Sequence, residues 1–92
     1  QEIEDLLALH PGVDDVAIIG VPEPDMGEQV WAVVKPADPT AGEEVREELL
    51  AYCRERLSGF KCPRGVDFVD ELPRLPTGKL LKRDLRARYW TE

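Results

Sequence analysis

Histidine, cysteine and methionine are almost missing from this 92-residue chain, which has one His, two Cys and one Met. His10 stands far from Cys53 and Cys62, so the ligands of a zinc site are not there, and no metal is expected. The two cysteines lie nine positions apart, which is neither a CxxC pair nor a disulfide framework. They read as two reduced thiols of a cytoplasmic protein. His10, just before Pro11-Gly12, reads as a helix-end residue near the negative end of the helix dipole. Nor does any apolar run approach the roughly 18 residues that a membrane span needs. The opening Gln1-Glu2-Ile3-Glu4-Asp5 is acidic where a secretory signal would be basic, so no signal peptide is expected. An initiator Met is lacking too, and the first helix has no capping residue. Both point to a piece cut from a longer chain.

Basic residues are scarce in one half only. Residues 1–48 hold 13 acids and 2 bases, while residues 49–92 hold 6 acids and 10 bases. The net charge of −7 argues against a general nucleic-acid binder, which is normally basic throughout. The split leaves room for a local anion site in the second half.

What is present fits one soluble domain, residues 1–92, with 42% apolar and 34% charged residues. A chain of this length buries roughly 60–65% of its unfolded surface, enough for one core and a shallow groove. Ile3, Leu6, Leu7 and His10 follow helical spacing, which predicts a short helix over 2–9 closed by Pro11-Gly12. The β-branched run from Val16 to Val21 predicts a strand covered on both faces. Pro22 to Gly27 breaks it, and Val30 to Val34 predicts a second strand, antiparallel to the first. Thr40-Ala41-Gly42-Glu43 matches a capping box ahead of a helix with Val45, Leu49, Tyr52, Cys53 and Leu57 as its buried stripe. Acids at its start and Arg54 and Arg56 at its end complement its dipole, so part of the charge split is ordinary helix design. Val66 to Val69 predicts a third strand. A loop with Pro73 and Pro76, too restricted for regular pairing, leads to a last helix lined by Leu81, Leu85 and Tyr89. The expected fold is α+β, a small three-stranded sheet with flanking helices in the order α-β-β-α-β-α.

Pro76-Thr77-Gly78-Lys79 is the sharpest local feature. It is not a Walker A loop: the first glycine position is Pro73, and Leu80 stands where Ser or Thr would hold magnesium. What remains is a lysine at the tip of a proline-bounded loop, with Gly78 free to adopt a positive φ. Lys79 offers a compact charge suited to carboxylate or phosphate oxygens. The plain alternative is a solvated lysine ahead of a basic helix. Met26-Gly27-Glu28 reads alone as a turn, and Phe60-Lys61-Cys62-Pro63-Arg64 as a linker with an anchoring aromatic.

Taken in order, these segments resemble the C-terminal domain of the AMP-forming acyl-CoA synthetases, in the adenylate-forming superfamily that includes luciferases and peptide-synthetase adenylation domains. The resemblance runs through Glu2-Ile3-Glu4-Asp5-Leu6-Leu7, His10-Pro11-Gly12-Val13 and the stretch from Val16 to Glu28. It continues with Phe60-Lys61-Cys62-Pro63 and ends with Leu72-Pro73-Arg74-Leu75-Pro76-Thr77-Gly78-Lys79-Leu80-Leu81-Lys82-Arg83. It implies an acid–thiol ligase that uses ATP, with Mg in the full-length enzyme, to turn a carboxylic acid into an acyl-adenylate. Coenzyme A then takes the acyl group as a thioester, a reaction of fatty acid metabolism. Lys79 would be the catalytic residue, on an adenylate loop of Pro76, Thr77 and Gly78. A different face, with Met26, Gly27, Phe60 and Lys61, would meet coenzyme A after the domain rotates. Arg54, Lys61 and Arg64 are the candidates for its phosphates. Position 62, often basic or aliphatic in such enzymes, is Cys62 here, which argues against a charge contact. The partner would be the chain's own large N-terminal domain, absent here with its ATP and acyl sites. The piece alone is expected to bind no cofactor and catalyse nothing. Two other readings stand beside this one. The first is an adenylation domain that loads a carrier protein, or a luciferase-like oxidative enzyme. The second is a stand-alone anion- or nucleic-acid-binding module using Lys79, Lys82, Arg83 and Arg86.

Overall fold

Side-chain alternation on two long strands organises the molecule. In a computed structural model of the chain, which describes residues 2–25, 27–57 and 62–90, the elements are α1 (Glu2–Ala8), β1 (Val13–Glu23), β2 (Gly27–Pro36), α2 (Glu43–Arg56), β3 (Gly65–Phe68) and α3 (Lys82–Ala87). β1 and β2 pair antiparallel from Val13↔Pro36 to Glu23↔Gly27. β2 and β3 pair parallel from Trp31↔Gly65 to Val34↔Phe68, giving the order β1-β2-β3. A parallel pair cannot be joined by a tight turn, and α2 makes the crossover. The α+β class and the element order are as the sequence predicts.

Successive residues on a strand point to opposite faces, so each apolar strand feeds two cores. Val16, Ala32, Val34 and Val66 pack with Leu7 of α1 and Leu49 and Cys53 of α2. On the other face Ala17, Ile19, Val21 and Val33 pack with Leu72 and with Leu85 of α3. β1 is thus covered on both sides, as its unbroken apolar run implies. Val13 and Val16 share a face only because the ladder is irregular between Val13 and Asp15. One displaced residue there turns the alternation over.

The differences from the sequence reading have local causes. β1 and β2 extend to Glu23 and Gly27 because the hairpin turn is tight enough for pairing to continue through polar residues. The capping box does not form. The Thr40 amide and hydroxyl both donate to Asp38 Oδ1, at 2.9 and 2.8 Å, and Gly42 occupies the N-cap of α2 without a side-chain cap. The Asp38 turn has captured the threonine before the helix begins. β3 starts at Gly65 rather than Val66, because Gly65 already pairs with Trp31, whose ring leaves no room for a Cβ there. Val69 follows the strand and still donates its amide to Val34 O at 2.9 Å.

His10 follows α1, with its amide donating to Leu7 O at 3.0 Å. It is buried, and its ring joins two segments. Nδ1 accepts the Gly12 amide at 2.9 Å and Nε2 faces Glu48 Oε2 of α2 at 2.9 Å. An accepting Nδ1 places the proton of the neutral ring on Nε2, toward the carboxylate. Cys53 and Cys62 are both buried. Burial, and then the nearby Cys62, push the Cys53 thiol up to about 11, which makes it a packing group rather than a nucleophile. No described helix is long and apolar enough to cross a membrane.

Candidate functional site

The loop around Lys79 is a braced structure. Pro73 and Pro76 restrict its backbone, yet Arg74 and Leu80 still form an isolated antiparallel bridge at its neck. Leu81 donates its amide to Pro73 O at 2.8 Å. Inside the neck, the Gly78 amide donates to Leu75 O at 2.7 Å and the Leu75 amide to Lys79 O at 2.9 Å. Gly78 has φ 94°, a left-handed conformation that glycine adopts without penalty. Nothing lies within 4 Å of where its Cβ would be, so the backbone angle alone selects glycine here. Lys79 is left exposed at the tip, and no ion pair to it is found among the described residues.

A long-range ion pair holds this loop to the sheet. Arg74 grips Asp15 of β1 with two parallel bonds, Nε to Oδ2 and Nη2 to Oδ1, both 2.7 Å. Its remaining nitrogen, Nη1, donates to Gly78 O at 2.6 Å. Asp15 Oδ1 also accepts the Val16 amide at 2.9 Å. The Arg74 fork, against a smaller opposing effect of burial, holds the Asp15 carboxyl below the usual carboxylate range, and Asp15 in turn raises Arg74. Sequence reading had Arg74 within the motif but gave it no role, and missed Asp15, which lies 59 positions away.

α3 continues from the loop as a basic face, but its charges are partly committed. Lys82 pairs with Glu4 of α1 at 2.8 Å, and Arg86 pairs with Glu28 of β2 at 2.9 Å. Burial raises the Glu4 carboxyl, but the Lys82 ammonium and the Ile18 amide, which donates to Oε2 at 2.8 Å, together bring it below its ordinary value. Arg86 also sits over the Trp90 ring at 5.3 Å, and the Trp90 indole N–H donates to Gly20 O at 2.8 Å. A shallow depression of about 420 Å³ runs beside Lys79, lined by Leu80, Leu81, Lys82, Arg83 and Asp84. The four cations Lys79, Lys82, Arg83 and Arg86 therefore share one flank, with Lys82 and Arg86 neutralised by carboxylates.

Gly27 opens β2 at the far end of the hairpin. Its φ is 86°, again with open space around the missing Cβ. Met26, Phe60 and Lys61, predicted to share a coenzyme A face with it, lie outside the described residues. Gly27 pairs with Glu23, whereas the Lys79 loop is anchored at Asp15. Eight residues of β1 separate these anchors, about 26 Å at ordinary strand rise. The Lys79 loop and Gly27 are thus anchored toward opposite ends of β1. Arg54 and Arg64 are both exposed, Arg54 in the last turn of α2 and Arg64 ahead of β3. Among the described residues no group of three or more His, Cys, Asp or Glu is arranged to hold a metal ion.

Comparison with known proteins is consistent with this geometry. Residues 2–79 match the AMP-binding enzyme C-terminal domain. A long-chain-fatty-acid–CoA ligase of Escherichia coli O6:H1 is 47% identical over 85 residues, which cover 92% of this chain and 15% of that ligase. A feruloyl-CoA synthase of an Amycolatopsis species is 47% identical over 89 residues, covering 96% of this chain and 18% of the synthase. The crystal structure of a Brucella canis acyl-CoA synthetase superposes with a TM-score of 0.87 at 39% identity, over 96% of this chain and 16% of that one. ATP-bound MatB from Rhodopseudomonas palustris gives a TM-score of 0.83 at 42% identity, over 96% and 17% of the two chains. The chain spans less than a fifth of each of these proteins. With nearly its whole length matched in both sequence and fold, the chain belongs to the AMP-binding enzyme C-terminal domain family.

Proposed function

We propose that this chain is the mobile C-terminal domain of a cytoplasmic acyl-CoA synthetase, and that it serves the two half-reactions with two different surfaces. In the first, a carboxylate oxygen of the acid attacks the α-phosphorus of ATP. The bond to the β,γ-pyrophosphate breaks, and pyrophosphate leaves with the electron pair. Both reactants are anionic, so a fixed cation between them offsets their repulsion and stabilises the charge of the transition state. Lys79, exposed on a loop whose backbone is tied on both sides, supports this reading more than any other observation. Pro76, Thr77 and Gly78 shape the loop that presents it.

In the second half-reaction the coenzyme A thiol attacks the acyl carbon and AMP departs. The turn at Gly27, with Met26, Phe60 and Lys61, is proposed to border the pantetheine arm. The large ATP- and acyl-binding domain would be the partner of both surfaces. The names of the relatives, a fatty-acid–CoA ligase and a feruloyl-CoA synthase, support coenzyme A over a carrier protein as acceptor.

The test uses the full-length ligase that contains this domain. Lys79→Ala is expected to slow acyl-adenylate formation by about 10²–10³-fold, the scale of losing one preorganised electrostatic contact. Thioester formation from supplied acyl-adenylate should stay within about twofold, well below that electrostatic loss. Equal loss in both steps would overturn the assignment of Lys79.

A further inference from the structure

We propose that Asp15 and Arg74 are a positioning pair that fixes the peptide planes on either side of Lys79, so that the lysine reaches the reacting phosphate from a preset backbone. This rests on the adenylating role proposed for Lys79.

The argument is geometric. Lys79 has a peptide plane before it and one after it, and each carbonyl is held by a named donor. Gly78 O takes Arg74 Nη1 at 2.6 Å, and Lys79 O takes the Leu75 amide at 2.9 Å. The Lys79 side chain itself is exposed and carries none of this bonding. Arg74 could not hold the carbonyl alone, because a long side chain at a loop neck samples many rotamers. Asp15 removes that freedom by engaging the other two guanidinium nitrogens in a bidentate fork. Asp15 is in turn oriented by the Val16 amide on a strand packed on both faces. The order of support runs from sheet to Asp15 to Arg74 to the Gly78 carbonyl to Lys79. A point charge would not replace the fork: a lysine at position 74 can reach Asp15 or the carbonyl but has no planar geometry to hold both. Gly78, at φ 94°, supplies the carbonyl that the guanidinium holds, while Lys79 beside it stays exposed.

The experiment uses the full-length ligase with Asp15→Asn, Arg74→Met and Arg74→Lys beside Lys79→Ala. Rates of acyl-adenylate formation and of thioester formation from supplied adenylate are measured separately, with hydrogen exchange at the Leu75 and Gly78 amides. Arg74→Met is expected to lower kcat for adenylation by about 10–100-fold, with KM for ATP and the thioester rate nearly unchanged, as when a reacting group is misplaced by about 1 Å. Exchange at the two loop amides should quicken by about tenfold or more as the loop opens locally. Arg74→Lys should recover part of the rate, and Asp15→Asn should show the same pattern more weakly. Asp15→Asn, which keeps size and shape, serves if Arg74→Met fails to fold. Unchanged adenylation in both Asp15→Asn and Arg74→Met, while Lys79→Ala is impaired, would overturn the positioning pair and leave the role of Lys79 standing. Equal loss of both half-reactions would reduce the pair to a fold-stabilising contact and also overturn it. Full adenylation by Lys79→Ala would instead overturn the reading on which the pair rests.

Discussion

A Cβ added at Gly65 would lie 2.3 Å from the Trp31 ring, and one added at Gly20 would lie 2.2 Å from the Glu28 carboxylate. The two clashes are alike in distance and opposite in consequence. The indole is a rigid plate packed in the second core, so Gly65→Ala must move it or the strand, at a cost of about 1–3 kcal/mol. Glu28 is a flexible, exposed side chain that can swing away. It gives up its ion pair with Arg86, worth no more than about 1 kcal/mol at the surface. Urea unfolding of the two variants is expected to show a clear loss for Gly65→Ala and nearly none for Gly20→Ala; equal losses would contradict this account. At this scale legibility followed sequence distance. Lys79 stood out because Gly78 directly precedes it, in a loop that Pro73 and Pro76 restrict. Asp15 was not, since its partner lies 59 positions away and nothing local distinguishes it from its neighbour Asp14.

Among elements, the joints are made by carboxylates. Glu4 ties α1 to β1 and to Lys82, the residue that opens α3, and Asp15 ties β1 to the Lys79 loop. Both carboxyls are held below their ordinary values in the folded state. Such groups stabilise the fold fully above their unfolded values, about 3.9 for Asp and 4.3 for Glu, and lose that contribution as pH falls through the lower folded values. The domain is therefore expected to lose stability below about pH 4, by about 1 kcal/mol for each joint after solvent screening. Urea unfolding between pH 7 and pH 2.5 checks this: Asp15→Asn and Glu4→Gln should each flatten the acid limb, and an unchanged limb would refute it. The elements themselves were legible because β-branched runs and helical spacing reflect burial directly. Their ends were less so. Strand pairing extends through Glu23 and Gly27 once the hairpin forms, and the Thr40 capping box yields to the Asp38 turn. The parallel β2–β3 pairing, set by the α2 crossover, left no mark in either strand's pattern.

For the molecule as a whole, the charge split looks different once its partners are known. The acidic half supplies Glu4, Asp15 and Glu28, which hold Lys82, Arg74 and Arg86 of the basic half. Much of the split is thus internal pairing across the fold, and Lys79 keeps its charge outward. On the proposed reading, anchors toward opposite ends of β1 assign Lys79 and Gly27 to different docked poses. If Gly27 borders the pantetheine arm as proposed, Gly27→Leu in the full-length ligase is expected to slow thioester formation by about tenfold or more, through backbone strain of about 1–2 kcal/mol and the added bulk. Adenylation should be unaffected, and unchanged coenzyme A kinetics would count against the Gly27 surface.

The same joints have another effect. β1 and β3 are the margins of a sheet only three strands wide, and such margins invite a foreign strand to add on. On β1 the outward amides of Val16 and Ile18 are taken by Asp15 and Glu4, and the Gly20 carbonyl is taken by Trp90. On β3 the Val66 carbonyl is taken by Arg46 Nε at 2.9 Å. A strand from another molecule would meet groups already satisfied by side chains. The sheet thus carries its own guard against aggregation, built in part from Asp15, the residue that also anchors the Lys79 loop.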